Sequence, residues 1–154
     1  MTLSQITNLL YSLMPQIQWV RPYQDVPIPL PPFGQITLLN SENLGFSQKR
    51  ILHSSKDVLK VAFDALYIYT FQIDFYGENS FDLSQNFQQT LEINLTPELP
   101  ISLKSFSPIR NLTELLDDKS FISRHNFEIE LYITNTILKD EKSLQDISLN
   151  LNRV

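Results

Sequence analysis

Hydrophobic residues open the chain at three- and four-residue intervals. Leu3, Ile6, Leu10 and Leu13 form a stripe that Leu9 widens, and Pro15 then removes the amide that another turn would need. This spacing predicts an amphipathic helix over residues 2–14. From Tyr67 the period changes to two: Tyr67, Tyr69, Phe71, Ile73 and Phe75 alternate with Ile68, Thr70, Gln72, Asp74 and Tyr76, which predicts a half-buried strand ended by Gly77. Asn79 and Ser80 then offer caps for a second helix, whose Leu83, Phe87, Leu91 and Leu95 recur every four residues until Pro97 and Pro100. Ile101, Leu103 and Phe106 predict a strand running to Pro108. A longer strand follows over Asn126–Thr136, and a last one where Ile147, Leu149 and Leu151 alternate with polar neighbours.

Two stretches resist a single period. Residues 22–32 hold five of the nine prolines, and the missing amide donors exclude a helix interior or a central strand there. This predicts an extended Pro-rich arm at 22–33 leading into a strand over Gln35–Leu39. Pro27, Pro29, Pro31 and Pro32 are a candidate ligand for an aromatic-lined groove, although a stiff surface connection is the simpler reading. After a short strand at Lys49–Ser54, residues Lys56–Ala65 fit a helical stripe through Val58, Ala62 and Ala65 and also fit an extended segment; a long hairpin is the favoured reading. Helix, strands, helix, strands is the order of an α+β fold, a mostly antiparallel sheet packed against two α-helices, with a long hairpin or arm. The 154 residues and 42% hydrophobic content suit one domain spanning 1–154.

Charge and composition narrow the function. Twelve Lys and Arg against seventeen Asp and Glu give a net charge of -5, with no basic run longer than Lys49-Arg50, so phosphate-driven nucleic-acid binding is not expected. No segment reaches the roughly 18 apolar residues of a membrane span, and the N-terminus lacks a signal-peptide pattern, which predicts a cytoplasmic protein. Cysteine is absent, which removes disulfides and thiolate metal sites. The three glycines, Gly34, Gly45 and Gly77, are too scattered to form a phosphate loop. His53 stands beside Ser54 and Ser55, yet adjacent residues seldom point at one another and no nucleophile elbow is present, so a polar strand end is expected. Glu128 and Glu130 share one strand face, a spacing open to a metal but better suited to a solvated outer face. No catalytic, cofactor or metal residues are predicted.

One constellation remains. Asn111-Leu112-Thr113-Glu114-Leu115-Leu116-Asp117-Asp118 reads as a polar turn with a leucine plug, and it delivers Arg124 to the mouth of the following strand. Arg124 has the planar fork for a bidentate contact, either with a carboxylate of a neighbouring subunit or with Asp117 of its own chain. Together with Tyr76-Gly77-Glu78 closing a strand, a helix from Ser80 and a strand running to Pro108-Ile109-Arg110, this order resembles phage neck and tail terminator proteins over residues 3–152. The Pro-rich arm and Lys56–Ala65 depart most from the family's pattern.

That resemblance implies a structural virion protein, assembled in the host cytoplasm and built into the neck or tail. It implies a homo-oligomeric ring of six subunits at the head-proximal end of the tail tube. Such a ring stops tube polymerisation and meets neck or connector proteins, with DNA only passing through its lumen and no membrane or cofactor involved. Arg110, Asp117, Asp118 and Arg124 are then the candidate subunit or partner contacts. The competing readings are a monomeric adaptor using its proline arm, another tail or baseplate protein, and a small hydrolase or metal enzyme.

Overall fold

The computed structural model describes residues 1–54, 58–115 and 121–142. Helix α1, Leu3–Ser12, starts with a capping box: the Thr2 hydroxyl accepts the Gln5 amide at 3.3 Å while the Gln5 side chain accepts the Thr2 amide at 2.8 Å. It buries Ile6 and Leu10. The chain leaves the helix two residues before the predicted end and turns, so Met14 and Ile17 join the core from below the helix rather than along it.

The remaining elements in chain order are strand β1 (Gln18–Val20), β2 (Phe33–Asn43), β3 (Gln48–Ser54), β4 (Val58–Tyr76), helix α2 (Ser80–Asn94), and strands β5 (Ile101–Phe106), β6 (Arg110–Asn111), β7 (Glu114–Leu115), β8 (Phe121–Ile122) and β9 (Arg124–Lys142). The main sheet has the order β1-β2-β4-β9-β5, with β3 also on β4 and β6 also on β9; β7 and β8 pair separately. Among the described strands only β1–β2 is parallel. The protein is α+β, with a mostly antiparallel sheet and two helices, as its sequence pattern predicts.

Two strands dominate. β4 and β9 are each 19 residues long and pair without a break from Tyr76↔Arg124 to Val58↔Lys142, a ladder of about 60 Å at the usual rise per residue. Over its first half the ladder is the centre of the body: Phe71, Ile73, Phe75, Phe127, Ile129, Leu131 and Ile133 pack under Ile6 and Leu10 of α1 and Leu83, Phe87 and Leu91 of α2. Over its second half, residues 58–66 and 134–142 leave the helices behind. With β3 they form a three-stranded arm.

Residues Lys56–Ala65 are thus extended wherever they are described, from Val58, in the favoured long hairpin, and the strand predicted over Asn126–Thr136 continues to Lys142. The strand expected at Gln35–Leu39 is longer too, Phe33–Asn43. The predicted last strand, Ile147–Leu151, lies outside the described residues.

Close approach fixes one glycine. Gly34 of β2 faces Trp19 of β1, and a Cβ there would stand 2.6 Å from Trp19 Cζ3. Trp19 fills that space and packs in tilted contact with Tyr11 and Phe75 and edge-on with Phe87.

Candidate functional site

At the mouth of the β4–β9 ladder the sheet's outer face carries a polar cluster. Asp74 and Asn126 are cross-strand partners and both are buried, Asp74 at 1% exposure. Arg124 donates from Nε at 3.1 Å and Nη2 at 3.0 Å to Asp74 Oδ1, and Gln72 donates to Oδ2 at 2.7 Å. The same guanidinium lies 5.3 Å from the centre of the Tyr76 ring. Arg110 bridges the next rung, donating from Nε to Asn126 Oδ1 at 3.2 Å and from Nη2 to Glu128 Oε1 at 2.9 Å.

Backbone bonds clip the segment between these rungs at both roots: Leu112 N–H to Arg124 C=O at 2.7 Å, and Gly77 N–H to Ser123 C=O at 2.9 Å. Arg124 therefore does reach the strand mouth. Its carboxylate partner among the described residues is Asp74, fifty positions earlier, a pairing that sequence proximity did not suggest. Asp117, Asp118 and Leu116 lie outside the described residues. Leu112 is 37% exposed and does not plug the sheet; Asn111 instead shapes the turn, its Oδ1 accepting the Thr113 amide at 3.0 Å and hydroxyl at 2.6 Å.

Glu128 and Glu130 do share the outer face, and basic side chains occupy both. Glu130 accepts from Lys104 Nζ and Ser105 Oγ, each at 2.6 Å, and Lys104 first, then Ser105, hold its carboxyl below the ordinary range. Among the described residues no group of three His, Asp or Glu side chains is placed to hold a metal. His53 is exposed on β3, beside a bulge between Ile51 and His53.

A hydroxyl–imidazole pair that no sequence motif announces sits at the start of α2. Ser80 Oγ lies 2.8 Å from His125 Nδ1 and 3.1 Å from Ser123 Oγ, and Phe81 packs against the imidazole. Ser80 is fully buried, and no carboxylate hydrogen-bonds His125 among the described residues. The contacts tie the first turn of the helix to β9. The arrangement is an anchor, without the access or the orienting group that a nucleophile needs.

Two surfaces remain for partners. Because β1 runs parallel to β2, residues 21–32 must return the chain to the start of β2, and their prolines keep this strap off the ladder. The strap exposes Val26, Ile28 and Leu30, the last at 88%, between Pro27, Pro29, Pro31 and Pro32. Its end packs on Gly77, which has φ +125° and where a Cβ would meet Pro32 Cα at 3.3 Å. A shallow depression of about 620 Å³ there is lined by Pro31, Pro32, Glu78, Phe121 and Ser123. The second surface is the arm. Arg50–Asp64 and Lys49–Glu141 ion pairs brace its strands, yet Phe46, Leu52 and Leu138 stand exposed, with Ile51 at 63% and Ile137 at 70%.

The outer-face carboxylates Asp74, Glu128 and Glu130 are each paired with a basic side chain, and two apolar surfaces protrude. A family model described as phage neck terminator protein matches residues 3–152. The chain belongs to that family. No curated protein matches it. As a neck terminator it is a structural component of the phage neck and tail, in a family that is not enzymatic, and its business is with other neck and tail proteins. The family's span takes in the strap, the arm and the clipped segment at the ladder mouth.

Proposed function

We propose that this neck terminator forms a ring of six subunits on the head-proximal end of the tail tube, stops tube growth there, and joins the tail to the neck or connector. The observation that carries the reading is the family match over nearly the whole chain, from residue 3 to residue 152. Two distinct apolar surfaces support it, because a joining ring must present different faces to different neighbours. A heterologous contact between identical subunits closes into a ring when its rotation closes. The net charge of -5 suits a lumen that passes DNA without holding it. Arg110, half exposed beside Glu128, and the acidic Asp117 and Asp118 are the charged contacts this reading offers to a neighbour, with Arg124 holding their segment to the sheet. Pro27, Pro29, Pro31 and Pro32 carry the strap toward a neck protein.

The test is a deletion. Particles made without the protein should carry tubes of unregulated length, or tubes and filled heads that fail to join, and purified protein should restore joining without nucleotide or metal. Normal-length tails attached to heads but unable to adsorb would place the protein at the distal end and overturn the reading. The exposed strap favours one alternative, a monomeric adaptor, which a monodisperse monomer at high concentration with no affinity for tube protein would support.

A further inference from the structure

Among the described residues the arm is a three-stranded sheet with an open edge on each side. β3 pairs only with β4, so the outer edge of Gln48–Ser54 has no strand beside it among the described residues. On the other side β5 ends its pairing with β9 at Ile101↔Ile133, and a single bond, Thr134 N–H to Pro100 C=O, lies beyond it. From Asn135 to Lys142 that second edge of β9 is likewise open among the described residues. Soluble proteins blunt long open edges with charge, proline or bulges because their unpaired amides and carbonyls recruit other strands. On the arm the charges of β9 are gathered at Lys139–Lys142 and those of β3 at Lys49 and Arg50, which pair within the chain with Glu141 and Asp64, and a bulge follows Ile51; between them Ile137 and Leu138 on one edge and Ile51 and Leu52 on the other are exposed.

The directions of the two edges decide what fits them. β3 and β9 are both antiparallel to β4, so they run the same way. A rotation about an axis along the arm therefore brings the open β3 edge of one copy beside the open β9 edge of the next, in parallel, without turning either copy over. Faces also match: Ile51 pairs with Val61 and Ile137 with Phe63, positions two apart on β4, so Ile51 and Ile137 project from one face of the arm. A copy added in this way continues the apolar row across the joint. Because the two edges are different surfaces, each added copy leaves one edge open for the next.

We propose that copies of this chain join head to tail by parallel strand addition of β3 onto the β9 edge of a neighbour, with Ile51 and Ile137 at the joint. The inference rests on the ring reading and specifies the surface that builds the ring. Native mass spectrometry of the full chain reads it out, using Ile51→Glu to block one edge and Ile137→Glu to block the other. Each variant alone should be a folded monomer by circular dichroism. An equimolar mixture should form a one-to-one heterodimer and nothing larger, since each variant keeps the edge that the other lacks.

Dimers of Ile51→Glu alone would make the joint a symmetric β9–β9 contact and overturn the proposal. Ring mass retained by both variants would place the joint elsewhere while leaving the ring intact. A monomeric wild type would remove the ring and this joint together. If a glutamate variant does not fold, Ile51→Thr and Ile137→Thr keep strand-forming side chains and should still raise the dissociation constant at least about tenfold. A double Ile51→Cys, Ile137→Cys variant adds a covalent readout in a chain with no cysteine of its own. β4 separates the two positions by about two strand spacings, beyond disulfide reach within one chain. Oxidation should therefore give a ladder of linked copies; cysteines that stay reduced in the assembled protein would count against the joint.

Discussion

Replacing Asp74 by alanine removes the carboxylate that accepts two bonds from Arg124 and one from Gln72. The side chains are 2% exposed for Asp74 and 23% for Arg124, so solvent does little to screen the pair. Breaking one side of a buried pair costs about 3–5 kcal/mol. Arg124 keeps contacts besides Asp74, the Tyr76 ring among them, and is part exposed, which puts Asp74→Ala near the lower end, about 3 kcal/mol, or a fall in Tm of about 6–12 °C at this chain length. Arg124→Ala should cost more, about 4 kcal/mol, because it leaves the buried carboxylate with only the Gln72 amide.

The decisive quantity is their coupling. In a double-mutant cycle followed by urea unfolding, the double variant should be less destabilised than the sum of the singles by at least about 2 kcal/mol. Additivity within about 0.5 kcal/mol would refute the claim that Asp74 and Arg124 stabilise the fold through each other rather than through the packing around them.

Gly34→Ala should drive Trp19 out of its place, costing about 1–3 kcal/mol by overpacking; since Trp19 is the only tryptophan, its fluorescence should shift to the red, and an unchanged spectrum and Tm would contradict the close approach. The Glu130 carboxyl is held below its usual 4.5 by Lys104 and Ser105, so its contribution to stability is present above that pH and is lost as pH falls through the lower folded value. Glu130→Gln should therefore lessen the drop in urea midpoint measured from pH 5 downward, and an identical acid profile would argue against the pairing. Ser80→Ala should lower stability by about 1 kcal/mol with no change in head–tail joining per folded molecule; loss of joining with the fold preserved would give the Ser80–His125 pair a role beyond anchoring. Ile28→Ser with Leu30→Ser should leave the Tm within about 1 °C, since both are exposed, yet weaken binding to a neck protein in a pull-down; undiminished binding would make the strap a connection only.

Sequence alone determined the elements that have one wet face and one dry face. Leu3, Ile6, Leu10 and Leu83, Phe87, Leu91 mark helices, and Tyr67–Phe75 and Phe127–Ile133 mark strands, because burial against a single core imposes a period of 3.6 or 2 on whatever chain supplies it. It also carried the order of elements that resembles the neck terminators. Residues 58–66 and 134–142 were legible only as ambiguous or as strand ends, for the opposite reason: the arm has no helix against it, so no wet-and-dry alternation is enforced, and it is the pairing of β4 with β3 and with a strand about seventy to eighty positions away that holds them extended. Separations of 50 and 45 positions likewise hid Asp74 from Arg124 and Ser80 from His125. Side chains that read as an outer-face aspartate and a helix cap acquire their partners when β4 and β9 are laid edge to edge, a register that the tertiary structure alone decides.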